Sequence, residues 1–348
     1  VFWSPRPFAL IDIEKLSVRS EVLRLGLLLA AGGALMAAAH SLSDRNRVLI
    51  ARIAMIGFAV QLVAVVVLSA FEQESIRFFY GDRPMDEGVQ NITRNALIIT
   101  AASPFLILGL VEGRSRNVTI AIAAAVLVPV IAVIIVRGVD AGLLSLAATA
   151  VLVGILHVFR RSGFRIIGGL IALMIMIAPF LFQAISSGAN AVTATNSMDY
   201  RQAIWQRVLT FIWDKPIFGS GVGALRTYQE KIPEGVFAGQ LYVPNHPHNM
   251  LLQLWAETGV VGAVIVAAVV LLVAFRLPRP ELIPSAAPRI AAIIGGFVAS
   301  WISFDLWNEW WWGVFCLLAV LTVVHSPAPK PLPLKPAVIP APQLPVRA

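Results

Sequence analysis

Nine apolar runs, most of them long enough to cross a lipid bilayer, constrain the fold of this chain more than any other feature. They cover residues 22–40, 48–70, 92–111, 118–136, 141–159, 166–185, 249–275, 290–306 and 307–325. About 20 apolar residues in a helix cross the hydrocarbon core, and every backbone polar group there must bond within its own segment. We therefore predict an all-α protein, a polytopic transmembrane helical bundle.

Composition supports this class, because the chain has too few charged residues to be solvated on all sides. Hydrophobic residues fill 58% of its 348 positions and charged residues only 13%, whereas soluble domains carry about 25% charged residues. The net charge of +8 is typical of basic loops beside a membrane. We expect membrane lipids, and no nucleic acid, among the partners.

The Lys and Arg residues predict the orientation of the bundle. If residues 186–248 lie outside, five segments lie inside: 41–52, 112–117, 160–165, 276–289 and the residues after 325. Counted along the sequence, these hold 14 of the 27 Lys and Arg residues but 3 of the 19 Asp and Glu residues. Because basic residues accumulate in cytoplasmic loops, residues 186–248 are predicted to face the non-cytoplasmic side.

The predicted organisation has five segments. They are an interfacial N-terminal segment (1–21) with helical spacing over 7–20, transmembrane helices 1–6 (22–185), a long outer loop containing short helices (186–248), transmembrane helices 7–9 (249–325) and a Pro-rich, disordered tail (326–348). Mixed charged and apolar residues favour an interfacial helix in the first segment. Proline favours extended chain in the last.

The first stretch with potential for chemistry lies within the outer loop, at residues 200–229. Ile204, Val208 and Ile212 recur at helical spacing and predict an amphipathic helix that packs on neighbouring spans. Glycines at alternate positions over 219–223 indicate a tight turn rather than a dinucleotide-binding loop, because no strand precedes them.

The second stretch lies at the entry to the seventh span. Pro247 is predicted in the first turn of that helix, which puts His248 and Asn249 near its N-terminus. Free backbone N–H groups there favour an anion such as a phosphate. Further along, Gly259 and Gly262 are predicted to let a neighbouring helix approach closely.

Each polar side chain also has a simpler interpretation. His248 is alternatively a solvent-facing or capping residue. It could also be a metal ligand beside His246, but no cysteine or close carboxylate completes such a site, so no metal is expected. Arg201 is alternatively a cation that anchors the helix at the interface. Arg137 follows a span, where a charge points inward or pairs, here with Asp140.

These residues carry a resemblance to a known family. The run of His248-Asn249, nine residues and Gly259-Val260-Val261-Gly262 resembles the signature of the O-antigen ligase and polymerase superfamily. The pattern Arg201-x-x-x-Trp205 and the run from Lys215 to Gly221 resemble the upstream part of the same domain. Arg137-Gly138 resembles the family's Ser-Arg-Gly segment, although Val136 replaces the serine. The similarity covers roughly residues 90–325, and nine spans fit a family with about a dozen if N-terminal spans are missing.

The resemblance implies a glycosyltransferase of the O-antigen ligase type in the bacterial inner (cytoplasmic) membrane. Its donor is a glycan on undecaprenyl pyrophosphate, presented on the periplasmic face. Its acceptor is a sugar of the lipid A–core or a growing glycan, and neither a metal nor another cofactor takes part.

The residues fit roles in such a reaction. Arg137 and Arg201 are predicted to bind the pyrophosphate, since arginine stays charged and offers paired donors. His248 is predicted to be the catalytic base for the acceptor hydroxyl, with inversion at the anomeric carbon. Asn249 and Trp205 are predicted either to bind sugar or to orient the helix.

Three other functions stay open at this stage. Within the family, the chain is alternatively an O-antigen or exopolysaccharide polymerase that extends glycan on the lipid carrier. From another class, a membrane transporter or flippase would need ionisable residues in mid-span and helices broken at the bilayer centre. A structural membrane subunit is the third.

Overall fold

The computed structural model describes residues 11–12, 17–18, 20–80, 85–244 and 246–325. Two short strands, β1 (Ile11–Asp12) and β2 (Ser17–Val18), pair antiparallel. The α-helices are α1 (Glu21–His40), α2 (Asp44–Ala70), α3 (Glu72–Tyr80), α4 (Met85–Val111), α5 (Arg116–Val136), α6 (Asp140–Val158), α7 (Gly163–Ile185), α8 (Ser197–Asp214), α9 (Met250–Arg276), α10 (Ala287–Ser300) and α11 (Glu309–His325). Short 3-10 helices occupy Ala224–Thr227 and Pro280–Leu282.

Seven of the described helices are long and apolar enough to cross a membrane: α1, α2, α4, α5, α6, α7 and α9. The eighth and ninth predicted spans correspond to α10 and α11, which are shorter, with 14 and 17 residues. The eighth was predicted to run to residue 306, but α10 ends at Ser300. Polar Asp305 and Asn308 lie in the turns that follow, because their side chains favour turns over helix interior.

The ends of the helices alternate between two faces of the bundle. The loop face is the side on which residues 186–249 lie. There, Arg226 of the loop pairs with Glu21 at the start of α1, and Arg24 pairs with Glu309 at the start of α11, at 2.9 Å. On the opposite face, Arg47 at the start of α2 donates to the His40 carbonyl at the end of α1, at 2.9 Å.

Small residues set the closest helix packing. A Cβ on Gly295 of α10 would lie 2.1 Å from Thr149 Oγ1 of α6, and one on Gly168 of α7 would lie 2.3 Å from Ala274 Cβ of α9. Close backbone approach of this kind is typical of helices packed in lipid. Meanwhile large apolar side chains such as Val128 are exposed on the surface, as a hydrocarbon solvent allows. The all-helical, multi-pass architecture is therefore confirmed.

The two ends of the chain are less fully described. The predicted helix over 7–20 is wrong where the structure can be read, because Ile11–Asp12 and Ser17–Val18 form a strand pair. The predicted disordered tail, 326–348, lies outside the described residues.

Candidate active site

Helix α8 forms the base of the site on the loop face. Its N-cap Asn196 accepts from the backbone N–H groups of Met198 and Asp199, at 2.9 and 3.0 Å. Ile204, Val208 and Ile212 are fully buried in a cluster shared with α7 and α9. The amphipathic helix predicted from their spacing is confirmed.

A break in α9 shapes the site from the other side. Gly259 takes φ 63° and ψ −164°, which interrupts the helix. The loop between α8 and the 3-10 helix Ala224–Thr227 replaces some of the helical hydrogen bonds that the break removes. Val260 N–H donates to the Pro216 carbonyl and Ser220 N–H to the Ala256 carbonyl, both at 2.8 Å. Backbone groups freed inside a membrane helix need such partners.

Glycines permit this docking of loop on helix. A Cβ on Gly259 would lie 2.3 Å from the Ile217 carbonyl oxygen, and one on Gly219 would lie 2.4 Å from the Glu257 carbonyl carbon. The tight turn predicted at Gly219 is present, with φ 67°. The predicted role of Gly259 and Gly262 is wrong, because a loop rather than a helix approaches Gly259. A Cβ on Gly262 would meet Thr258 of its own helix.

Asn249 and Trp205 fix the entry to α9. Asn249 is the fully buried N-cap, and its side-chain oxygen accepts from the N–H groups of Leu251 and Leu252 at 3.1 and 3.0 Å. Trp205 Nε1 donates to the Pro247 carbonyl at 3.1 Å. Pro247 therefore precedes the helix instead of occupying its first turn, because the cap residue stands two positions later. These contacts orient the helix start.

His248 lies between these two anchors in a strained conformation. Among the described residues other than glycine, His248 is the one that takes a positive φ, 50°. Left-handed backbone costs an ordinary residue about 1–2 kcal/mol, and such strain persists only where the surroundings impose it. Here the Trp205–Pro247 bond before it and the Asn249 cap after it impose the conformation and aim the imidazole.

The imidazole of His248 is held close to a second histidine and to Arg201. The rings of His246 and His248 have centroids 4.3 Å apart, and the backbone of Ser303 lies near both rings, where it favours their protonated forms. Burial, followed by the charges of His246 and Arg201, lowers the pKa of His248 to about 3. His248 is therefore neutral at physiological pH.

Arg201 is a partly buried cation that has few partners among the described residues. It donates to the Ile302 carbonyl at 3.4 Å, and burial lowers its pKa while the charge of Asp140 opposes that shift. Because Trp205 lies one helical turn further along, both side chains lie on one face of α8. The structure thus brings together four of the five predicted residues: Arg201, Trp205, His248 and Asn249.

Arg137, the fifth predicted residue, has a different environment. It follows α5 on the loop face, and its guanidinium pairs with Glu72 of α3, while the side chain is only 8% exposed. Its Nε–H is buried and has no hydrogen-bond partner among the described residues. The predicted partner, Asp140, lies instead within electrostatic reach of Arg201.

The acidic residue that supports the histidines was not predicted from the sequence. Asp305 pairs with Arg226 at 2.5 Å and accepts from Gln253 Nε2 at 2.7 Å. Gln253 Oε1 in turn accepts from the Leu306 N–H at 2.8 Å. These bonds hold the turn that presents Ser303 to both histidines. The available signal was Asp305 itself, since an acidic residue that interrupts an apolar run marks a candidate functional site.

Among the described residues, no group of three or more His, Cys, Asp and Glu side chains is close enough to hold a metal ion. His246 and His248 are adjacent, but two imidazoles fall short of the three or four protein ligands of a zinc site. What the geometry offers is a neutral imidazole beside a cation, at one face of an apolar bundle.

Comparison with known proteins points to a single family. Residues 125–267 match the family described as O-Antigen ligase. Proteins of Rickettsia conorii and Rickettsia bellii, each named "Putative polysaccharide ligase", are 25% and 26% identical over 168 residues. Each match covers 45% of this chain and 41% of the relative, so the chain spans about two fifths of the length of these curated relatives. No solved structure matches it. The domain match over residues 125–267 and these relatives make the chain similar to the O-antigen ligase superfamily and support its place there.

Proposed function

We propose that the chain is a membrane glycosyltransferase that moves a glycan from undecaprenyl pyrophosphate to a lipid A–core acceptor. The observation that carries this proposal is that His248 lies within electrostatic reach of Arg201 on the loop face. A neutral base and a cation side by side suit the deprotonation of a hydroxyl and the departure of an anion.

In this reaction His248 is the general base for the acceptor hydroxyl. In the neutral imidazole one ring nitrogen carries the proton and the other holds a lone pair. As the acceptor oxygen bonds to the anomeric carbon, its proton passes to that nitrogen and the bond from the carbon to the pyrophosphate oxygen breaks. A bound pyrophosphate raises the pKa of a neighbouring imidazole, so the donor itself makes His248 a stronger base.

Arg201 is the proposed ligand of the pyrophosphate. Its hydrogen bond to the Ile302 carbonyl is long, at 3.4 Å, and the described residues leave most of the five guanidinium donors for an anion. The pyrophosphate gains charge as the glycosidic bond breaks, so its attraction to a fixed cation grows in the transition state. Attack opposite the leaving group inverts the anomeric centre. The guanidinium stabilises the departing pyrophosphate, so the reaction needs no metal ion.

Arg137 is the second proposed pyrophosphate ligand. Because its guanidinium already pairs with Glu72, it contacts the donor by exchanging that carboxylate for phosphate oxygens. Asn249 and Trp205 act indirectly, since their contacts support the orienting role and not a sugar-binding role.

The proposed location is the bacterial inner membrane, with the loop face in the periplasm. Both substrates are then lipids with polar head groups at that interface, where a site on one face of an apolar bundle meets them. The described basic segments that are predicted to lie inside share the face opposite the loop, for example Arg47 beside His40, and this supports the orientation through the positive-inside tendency.

The test combines a cell with a purified enzyme. In a deletion strain, bare lipid A–core with accumulated lipid-linked polymer is the expected profile. Core that carries a single repeat would indicate a polymerase, and unprocessed donor confined to the cytoplasmic leaflet would indicate a flippase. In nanodiscs, the purified protein is expected to transfer glycan in excess chelator; activity that needs an added divalent ion would contradict the arginine-based site.

A further inference from the structure

The outer loop contains a second polar feature, a cleft of about 390 Å³ beside α8. Six polar or aromatic side chains line it: Asn190, Gln206, Arg207, Thr210, Glu230 and Tyr242. Small residues of 188–191 and Ala203 form the rest of its wall. The volume falls within the roughly 300–1,000 Å³ of small-molecule sites, and none of these residues belongs to the proposed active site.

Helix α8 separates the cleft from His248. Arg201 and Trp205 lie one turn apart and face the entry to α9. Gln206 and Thr210 lie on the opposite side of the helix, since consecutive residues are rotated by roughly 100°. A helix with its side chains is about 10–12 Å across. The cleft is therefore too far from His248 for the reacting sugar, but a few linked sugars bridge that distance.

The side chains of the cleft suit an uncharged, hydroxyl-rich ligand. Arg207 pairs with Glu230 at 2.6 Å, so their charges cancel and the cleft does not select an anion. The Gln206 carboxamide contacts Ser186 Oγ at 3.2 Å and still offers hydrogen-bonding capacity to the cleft. Planar groups that offer both donors and acceptors bind neighbouring hydroxyls, and the small wall residues leave room for sugar rings.

Local contacts hold the cleft in shape without a ligand. Tyr200 donates to the Leu241 carbonyl at 2.7 Å, and its ring stacks on Phe237 with centroids 4.5 Å apart. Buried Ile232 and Ala203 belong to the same cluster. Preformed sites avoid the cost of ordering side chains on binding.

We propose that this cleft is an oligosaccharide subsite, which binds sugars of the glycan substrate that lie beyond the reacting unit. The inference rests on the proposed glycan transfer. Both the donor glycan and the acceptor carry linked sugars, and the length of each is varied separately in the test to find which one enters the cleft.

The first experiment fills the cleft. Thr210 is exposed on its rim and its hydroxyl donates to the carbonyl three residues earlier, at 2.7 Å. Thr210→Trp is expected to raise the KM for donors with many repeats about tenfold, a loss of roughly 1.4 kcal/mol, with kcat and the KM for one-repeat donors unchanged. Thr227→Trp is the matched control, because Thr227 is exposed and makes the same hydrogen bond at 2.7 Å outside the cleft.

The second experiment removes one contact. Gln206→Ala is expected to raise the same KM by a factor of about 2–10, the effect of one hydrogen bond. If the shift appears when the acceptor rather than the donor is lengthened, the acceptor occupies the cleft and the oligosaccharide subsite still stands. Equal KM values for long and short substrates of both kinds, in the wild type and in Thr210→Trp, would overturn it.

A direct binding measurement separates this inference from the proposed function. The probes are lipid-free oligosaccharides of one and several repeats, released by mild acid from the host's lipid-linked glycan. Ligand-observed NMR with the purified chain should detect the longer probe, both in the wild type and in His248→Ala, but not in Thr210→Trp. Oligosaccharide binding without any transfer activity would refute the proposed function but support the subsite. Transfer activity without oligosaccharide binding would support the proposed function but refute the subsite.

Discussion

Two arginines on opposite faces of the bundle show how differently one side chain is used. On the opposite face, Arg47 is 5% exposed and donates to the carbonyls of Leu42, His40 and Val323, at 3.2, 2.9 and 3.4 Å. On the loop face, Arg201 makes one hydrogen bond within the described part of the chain, to the Ile302 carbonyl at 3.4 Å. Arg47 joins the ends of α1 and α11, whereas Arg201 keeps most of its donors for another partner.

The difference teaches that burial alone does not identify a functional cation. A buried charge is tolerated where its hydrogen bonds are satisfied. Carbonyls at helix ends accept the hydrogen bonds of Arg47 and so stabilise its charge. Burial lowers the pKa of Arg201, and the described residues around it offer few hydrogen bonds to stabilise its charge. A protein that accepts such a cost at one site gains from it when an anion binds there.

The largest expected effect tests this contrast directly. Arg201→Ala should lower glycan transfer by about 10³–10⁵-fold, the range for arginines that stabilise a departing phosphate. Arg201→Lys should remain poor, because an ammonium cannot reproduce the two-donor fork. Donor binding and transfer are measured on protein in nanodiscs.

Arg47→Ala supplies the comparison. It should reduce the thermal stability or the yield in the membrane, since it breaks charged hydrogen bonds worth about 1.5–3 kcal/mol each. The protein that remains folded should turn over at the wild-type rate. Full activity in Arg201→Lys, or a matching loss of turnover in folded Arg47→Ala, would erase the distinction between the two residues.

His248 should show the next largest effect. His248→Ala and His248→Gln should lose about 10²–10⁴-fold in transfer rate, as expected for a general base, and should still bind the lipid-linked donor. If donor binding falls as severely as in Arg201→Ala, His248 belongs to the pyrophosphate site and the base assignment is wrong.

The pH profile of the wild type carries a second test. A base works unprotonated, and the pKa of His248 is lowered to about 3 in the empty protein. The acid limb of kcat/KM, which reports the free enzyme, should therefore lie well below the usual histidine pKa of about 6.5. The limb of kcat should lie at higher pH, because the bound pyrophosphate favours the protonated ring. Identical limbs near pH 6.5 would contradict this environment.

The glycine at the break in α9 should have an intermediate effect. Gly259→Ala places a Cβ 2.3 Å from the Ile217 carbonyl oxygen at a positive φ, so the loop must move away from α9. We expect a loss of roughly 1–3 kcal/mol in stability and a fall in transfer, because His248 stands immediately before the N-cap of the same helix. Thermal unfolding in detergent and the transfer assay measure the two losses.

Gly169→Ala is its control. Gly169 lies within helix α7, and a Cβ there meets nothing within 4 Å. Alanine is favoured over glycine in a helix by about 1 kcal/mol, so this variant should be neutral or slightly more stable. A Gly259→Ala protein as stable and active as Gly169→Ala would show that the docked loop is dispensable.

The features that the sequence predicted correctly depend on residues that are close together in the chain. The spacing of Ile204, Val208 and Ile212 specified one face of α8, and the runs of apolar residues specified the long spans, because both are properties of consecutive positions. The His248-Asn249 pair was correctly placed at a helix start, since capping is also local.

What could not be predicted joins segments that are far apart in the chain. The Arg137–Glu72 pair links α3 to the end of α5, and a nearer carboxylate, Asp140, was the natural guess. The backbone bonds between the 216–221 loop and α9 leave no side-chain periodicity to detect. The sequence showed the glycines that allow this contact but not the segment that makes it.

The smallest expected effect concerns that distant pair and decides how Arg137 is used. Glu72→Gln removes the negative partner of Arg137 while keeping the size of the side chain. If Arg137 exchanges Glu72 for phosphate oxygens, the neutral variant has less to displace, and donor binding should tighten by a factor of about 2–10, the contribution of one ordinary hydrogen bond. Arg137→Ala should weaken donor binding. The dissociation constant of lipid-linked donor in nanodiscs measures both changes.

Glu281→Gln is the matched control for charge. It makes the same change in net charge beside Arg161, whose Nε lies 3.9 Å from the carboxylate on the opposite face. Donor affinity should stay constant there, because exposed charges more than about 10 Å away are screened by salt. If Glu72→Gln only lowers the stability, and Arg137→Ala does the same with donor affinity unchanged, then Arg137 resembles Arg47 more than Arg201. Its pairing with Glu72 would then be a structural contact that fixes α3 against the end of α5.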